Sequence, residues 1–199
     1  MEKLVLAVFD FDGTITRKDT LLEFIKFSKG KFRFYFCFLL FSPMLAAMKL
    51  KLLSNQTVKQ LVFAYLYKGV HIEEFSKWGM EFSAVIDKML LPKAVEALKS
   101  HKDNGDKAVI ISASIENWVK PWANKMGIDM VLATKAETDK NGLLTGRFST
   151  KNCYGKEKVN RLLNAFPNRD NYKLVAYGDS RGDKELIGFA DEGFYRKFS

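Results

Sequence analysis

The sequence predicts an α/β fold, a Rossmann-like parallel sheet with helices on both faces, together with a small all-helical cap. Three observations predict it. Short apolar runs rich in strand formers end at acidic or hydroxyl residues, as Leu4 to Phe9 does before Asp10. From residue 92 onward such runs alternate with helical spacing. Between Leu21 and Leu91 the spacing is helical throughout, with no convincing strand.

Leu4 to Phe9 reads as a buried parallel strand that meets a turn at Gly13. Three or four helices follow. Leu22, Phe24, Ile25 and Phe27 show the helical period, as do Val58, Leu61, Val62, Tyr65 and Leu66, while Phe32 to Phe41 is ambiguous. Pro92 suits a helix first turn, and Lys93 to His101 continues it. Asp103-Asn104-Gly105 is a turn. Lys107 to Ile111 is the second strand, ending at Ser112; Ser114 is placed to cap a helix over Glu116 to Met126, which Pro121 would kink and Gly127 stops. Met130 to Ala133 is the third strand. Asn141-Gly142 predicts a hairpin with Leu143 to Phe148 as return arm. A helix over Lys156 to Ala165, a strand over Lys173 to Tyr177, a short helix and a strand near Gly193 to Tyr195 complete the chain. The expected division is a core of residues 1–16 and 92–199 with a helical cap, residues 17–91, inserted in it.

Composition narrows the function classes. The chain has 199 residues, 47% hydrophobic and 28% charged, enough for one full core and a modest insertion. Cys37 and Cys153 stand far apart and form no CxxC pair, which predicts two reduced thiols rather than a zinc site or disulfide framework. The apolar run at the N-terminus is short and meets acidic residues at once, unlike a signal peptide, so a cytoplasmic protein is expected. The net charge of +9 is concentrated: residues 24–72 hold Lys26, Lys29, Lys31, Arg33, Lys49, Lys51, Lys59 and Lys68 and no acidic residue. No nucleic-acid partner is expected, and no GxxxxGK[ST] loop is present.

Asp10, Asp12, Ser112 and Asp179 all fall at carboxyl ends of predicted parallel strands, the edge where open α/β sheets bind ligands. Asp10-Phe11-Asp12-Gly13-Thr14, Val109-Ile110-Ile111-Ser112, Gly155-Lys156-Glu157-Lys158 and Gly178-Asp179-Ser180-Arg181-Gly182-Asp183 stand in that order. Together they resemble the four signatures of the haloacid dehalogenase-like hydrolases. A helical insertion directly after the first is similar to the phosphoserine phosphatase-like subgroup. The resemblance implies a magnesium-dependent phosphatase for a small phosphorylated substrate. Asp10 would be the nucleophile, and Asp12 the acid and then the base. Magnesium would be held by Asp10, the Asp12 carbonyl and Asp179, with Asp183 orienting them. Thr14, Ser112, Ala113 and Lys158 would contact phosphate, Lys158 being preferred to Lys156 because the pattern places two variable positions between Gly and Lys. Asp19 stands near the position of an acid that phosphoserine phosphatases use. The residue types make physical sense, since an anionic nucleophile approaches a phosphate monoester only when cations neutralise the charge between them.

Other features have plainer readings. His71 and His101 are isolated and read as surface or packing residues. Trp118 and Trp122, four apart on one helix, read as core. The insertion stays open between two readings. Phe34 to Met48 has no charged residue, and Pro43 breaks it, so it is too short for a confident membrane span. It is either the core of a small cap or a cationic aromatic surface that touches anionic membrane through residues 24–72 or holds an apolar substrate. The second reading resembles bacterial phosphatidylglycerophosphate phosphatases of the same superfamily and implies a lipid-phosphate phosphatase at the membrane surface.

Overall fold

The computed structural model describes residues 3–198, so Met1, Glu2 and Ser199, the ends of the expected core segments, lie outside the described residues. The strands β1 (Leu4–Phe9), β2 (Lys107–Ile115), β3 (Met130–Thr134), β6 (Tyr172–Gly178) and β7 (Glu192–Tyr195) form one parallel sheet in the order β3-β2-β1-β6-β7. The short strands β4 (Ala136–Thr138) and β5 (Leu144–Phe148) make a separate antiparallel pair. Strand β1 explains the architecture in miniature. Ala7 and Phe9 enter one core cluster and Leu6 and Val8 the other, so both faces need a covering layer. Helices α7 (Lys156–Ala165) and α8 (Lys184–Phe189) cover one face through Leu162 and Leu186. Helices α5 (Pro92–Asp103) and α6 (Glu116–Lys125) cover the other through Leu98, Trp118 and Trp122.

Four helices separate β1 from α5: α1 (Thr20–Leu40), α2 (Ser42–Lys49), α3 (Asn55–Tyr67) and α4 (Ile72–Asp87). The ambiguous stretch Phe32 to Phe41 is helical, in the second half of α1, which Gly30 interrupts at φ 81° and ψ 159°. The chain leaves and re-enters the core side by side: Arg17 N–H donates to Met89 O and Leu91 N–H to Ile15 O, both at 2.8 Å. Phe24 in the first half of α1 stacks on Trp118 with ring centroids 4.4 Å apart, locking that half to the core. Both tryptophans are buried, and each indole N–H has a partner: Thr20 Oγ1 for Trp118 and Asp87 Oδ1 for Trp122.

Strand β2 differs from its expected end. It runs past Ser112 to Ile115, and its register against β3 shifts between Ile111 and Ile115. The irregularity is a bulge-like re-aiming of the backbone at the ligand edge of the sheet. Helix α6 therefore starts with Ile115 at its N-cap, without a side-chain cap from Ser114. Pro121 does not break α6, which runs continuously to Lys125. As Pro121 has no N–H, the Asn117 carbonyl one turn earlier lacks its usual helical donor. Helix α4 packs over that carbonyl with Gly79, where an added Cβ would stand 2.1 Å from Asn117 O. Gly79→Ala is expected to destabilise the protein by about 1–3 kcal/mol through overpacking against backbone. A urea titration measures it; wild-type stability would mean that α4 can slide on α6.

The isolated histidines are structural. His101 bridges Asp106 (2.7 Å) and the Tyr177 hydroxyl (2.9 Å), and His71 caps α4 by accepting from Glu73 N–H. Cys37 and Cys153 are free and buried.

Candidate active site

The sheet's strand order reverses direction around β1, with β2 on one side and β6 on the other, and loops diverge there to leave a crevice. Asp10 stands at the end of β1, only 6% exposed, and its N–H donates to Tyr177 O in β6. Asp179 follows β6, and Asp183 lies one turn beyond. Asp10, Asp179 and Asp183 each bring a carboxylate oxygen within 4.8 Å of the others. Gly13 permits this approach. Its φ is +82°, and a Cβ there would fall 2.3 Å from Asp179 Oδ2. Thr14 Oγ1 lies 3.5 Å from Asp179 Oδ1, so its hydroxyl is directed at the acidic cluster.

Of the two candidate lysines, Lys158 is brought to the cluster and Lys156 is exposed. Lys158, 2% exposed, places Nζ 2.6 Å from Asp10 Oδ1 and 2.5 Å from Asp183 Oδ1. Asp183 is fully engaged: Oδ1 takes Lys158, while Oδ2 accepts from the Ser180 N–H (2.9 Å), the Ser180 hydroxyl (2.7 Å) and the Asp179 N–H (3.3 Å). Its oxygens are spent on orienting neighbours.

Asp12 faces the other way, toward the cap. Thr20 N–H donates to its Oδ1 at 2.8 Å, and the Ser114 hydroxyl donates to its Oδ2. Ser114 Oγ and Thr20 Oγ1 are 3.0 Å apart, and Trp118 donates to Thr20 Oγ1 at 3.1 Å. Ser114 thus clamps Asp12 instead of capping α6, because β2 carries it beyond the expected strand end. Ser112 is buried. Its Oγ accepts from Ser114 N–H at 3.0 Å, which leaves the hydroxyl hydrogen to donate elsewhere. The Ala113 carbonyl accepts from Thr134 Oγ1 (2.9 Å) and from Lys59 Nζ.

Electrostatics separate these carboxyls. Burial pushes Asp10 up to about 7, with Asp183 and Asp12 adding to the rise and Lys158 opposing it. Burial also raises Asp12 to about 6, helped by Asp19 and opposed by its donors Ser114 and Thr20. Burial and Asp183 raise Asp179. For Asp183, burial works upward, but the Lys158 charge and hydrogen bond outweigh it and hold the carboxyl below its ordinary value. Lys158 is pulled down by burial and pushed up further by Asp10 and Asp183, so the cation persists.

A cavity of about 350 Å³ opens between Asp12 and the cap helices. Leu21, Leu22, Phe38, Leu45, Met48 and Val62 supply apolar wall, with Asp12, Asp19 and Lys59 as charged members. Asp19 is also the N-cap of α1, accepting from Leu22 N–H at 3.2 Å. Lys59 reaches from α3 to the Ala113 carbonyl and lies 3.4 Å from Asn152 Oδ1; burial lowers it to about 8 against the pull of Asp12 and Asp19. Lys59 and Thr20 escape a reading of the sequence, where each looks like an ordinary helix residue.

The cluster suits a hard divalent cation. Three carboxylates offer only oxygen donors and two of them, Asp10 and Asp183, share the Lys158 ammonium, so negative charge is left for a metal to offset. Asp10 and Asp179 accept fewer hydrogen bonds than Asp183 and so offer the freer oxygens.

The model of the haloacid dehalogenase-like hydrolases matches residues 7–187. The chain belongs to the haloacid dehalogenase-like hydrolases. Among proteins similar to this member is protein CicA of Caulobacter vibrioides, 34% identical over 195 residues, covering 98% of this chain and 86% of that protein. A histidinol-phosphatase of Neisseria meningitidis is 28% identical over 126 residues, 60% of this chain and 57% of that one. The fold of this haloacid dehalogenase-like hydrolase is shared with a Bordetella pertussis protein of unknown function (TM-score 0.79, 20% identity, covering 98% of this chain and 89% of that chain). It is shared too with substrate-bound phosphoserine phosphatase (TM-score 0.65, 22% identity, covering 98% and 86%). With its helical insertion after the first motif, the chain shares the fold of phosphoserine phosphatase.

Proposed function

We propose that this hydrolase cleaves phosphate monoesters through an aspartyl-phosphate intermediate on Asp10. The observation that carries the reading is the division of labour between two neighbouring carboxylates. Asp10 is held by Lys158 inside the acidic cluster, and Asp12 is held by Ser114 and Thr20 at the floor of the cavity. An Asp10 oxygen bonds to phosphorus as the ester P–O bond breaks, and Asp12 gives its proton to the departing alcohol. Asp12 then takes a proton from water, whose oxygen attacks phosphorus and releases Asp10 and inorganic phosphate. The raised Asp12 carboxyl fits a group that must carry a proton in one half-reaction and lose it in the other. Ser112 donates its hydroxyl to a phosphate oxygen, with Ala113 and Thr14 beside it, and Lys158 balances the charge that develops there.

Asp10, Asp179 and the Asp12 carbonyl would hold magnesium, with Asp183 orienting them. When bound, the ion neutralises phosphate oxygens so that a carboxylate can approach an anion. The helical segment of residues 17–91 closes over the site and selects the leaving group. A small phosphorylated metabolite is the main reading. A second, a lipid phosphate, is favoured by the apolar wall that Phe38, Leu45 and Met48 give the cavity.

A screen of phosphate monoesters, from aryl phosphate and phosphoserine to lysophosphatidate, tests both. Aryl phosphate should be hydrolysed, chelation should abolish the activity and magnesium should restore it. Calcium should restore little, since its looser coordination misplaces the reacting oxygens. Turnover undiminished by chelator would remove the metal assignment. Faster turnover of phosphoserine than of lysophosphatidate would decide against the lipid reading.

A further inference from the structure

We propose that the outer face of the second half of α1, with α2 and the residues just after it, docks on the surface of an anionic lipid bilayer. Helix α1 is apolar all round beyond Arg33. Phe34, Cys37 and Phe41 turn inward and are buried. Phe32, Tyr35, Phe36 and Leu39, spaced like one helical face, point outward, with Phe32 83% and Leu39 72% exposed. Leu50 and Leu52 extend the face at 72% and 75%. A helical stretch with no polar side needs apolar neighbours on both faces, and among the described residues the fold covers only the inner one.

Charge identifies the neighbour. The uncharged stretch Phe34 to Met48 is flanked by Lys29, Lys31 and Arg33 before it and Lys49 and Lys51 after it. Lys29, Phe32, Arg33, Phe36, Tyr65 and Leu66 line an outward groove of about 380 Å³, room for an anionic headgroup beside aromatic rings. Among the described residues Glu74 is the acid that acts on Lys29, and the block of residues 24–72 contains none. A second copy of the chain on this face would set these cations against their own kind, whereas an anionic bilayer offers apolar depth and opposite charge together.

The geometry favours lying in the interface over crossing. Among the described residues no single helix is long and apolar enough to span a membrane, and α1 and α2 are bent by 58°. The segment Lys31 to Leu40 is about 15 Å long at helical rise, half of a hydrocarbon core of about 30 Å. The first half of α1 is held in the protein by Phe24 on Trp118. The inner side of the docked segment carries Phe38, Leu45 and Met48, so the cavity above Asp12 lies one helix away from the lipid. The docking surface stands on exposure and charge, whichever monoester is cleaved.

Flotation with phosphatidylcholine vesicles, with and without phosphatidylglycerol, tests the proposal on the full chain. Binding is expected on phosphatidylglycerol vesicles at low salt and should weaken at high salt. Phe32→Ser/Phe36→Ser/Leu39→Ser and, separately, Lys31→Glu/Arg33→Glu should each lower partition by about tenfold or more. Both should keep wild-type aryl-phosphate turnover, which confirms folding and isolates the effect from catalysis. Absence of wild-type binding, or wild-type binding by both variants, overturns the proposal. So does a wild-type dimer in sedimentation that the triple variant converts to monomer, because a second copy would then cover the face.

Discussion

Asp10→Asn is expected to lower aryl-phosphate turnover by at least about 10⁴-fold while the protein stays folded. The amide keeps the shape and can still accept from Lys158, but it has no anionic oxygen to bond phosphorus, so covalent catalysis is lost outright. Stability should move the other way. Burial raises the Asp10 carboxyl to about 7, meaning that the folded protein holds the ionised group at a cost the unfolded chain does not bear. A carboxyl raised on folding stabilises most at low pH and loses that contribution as pH rises through its folded value. Above that value the uncharged amide is the easier group to bury. In chelator at pH above about 7, the variant's melting temperature should therefore equal or exceed that of wild type. Retained turnover would dismiss Asp10 as nucleophile. A large fall in melting temperature would show that the Asp10–Lys158 pair stabilises the fold after all.

Lys158→Met should be damaging in both respects. Its ammonium is the buried cation shared by Asp10 and Asp183. Removing one partner of a buried ion pair leaves uncompensated charge and costs about 3–5 kcal/mol. Loss of a preorganised donor at the phosphoryl group costs about 10²–10³-fold in turnover. A double-mutant cycle separates the two effects. Asp10→Asn/Lys158→Met should recover part of the lost stability, because one orphaned carboxylate is gone, and none of the activity. Urea unfolding in chelator reads the first quantity and aryl-phosphate turnover the second. Additive stability losses would mean that the two side chains do not feel each other.

Much of this was legible because strand ends leave strong marks. The runs before Asp10 and Asp179 have strand composition and a hard stop, and parallel pairing then forces those ends to one edge of the sheet. The helical character of the insertion was legible from its period. What remained open turned on orientation. Phe32 to Phe41 is apolar at every position but Arg33, so its period alone does not say which rings face out; the break at Gly30 and the anchoring of Phe24 decide that. Ser114 looked like a helix cap because a regular strand would have ended at Ser112. Two further residues of bulged β2 turn its hydroxyl onto Asp12 instead. Lys59 has the spacing of a solvated helix lysine, and only the approach of α3 to the Ala113 carbonyl half-buries it.

The sequence by itself determined the family, the alternating architecture and the strand ends that meet at one edge, because these follow from local period and from residues adjacent in the chain. Tertiary structure alone decided that Lys158 and not Lys156 enters the acidic cluster, that Asp12 is clamped from the cap side, and that an apolar cationic face is left bare. Each of those depends on how far apart two elements stand and which way they are rotated, and packing of distant segments sets both.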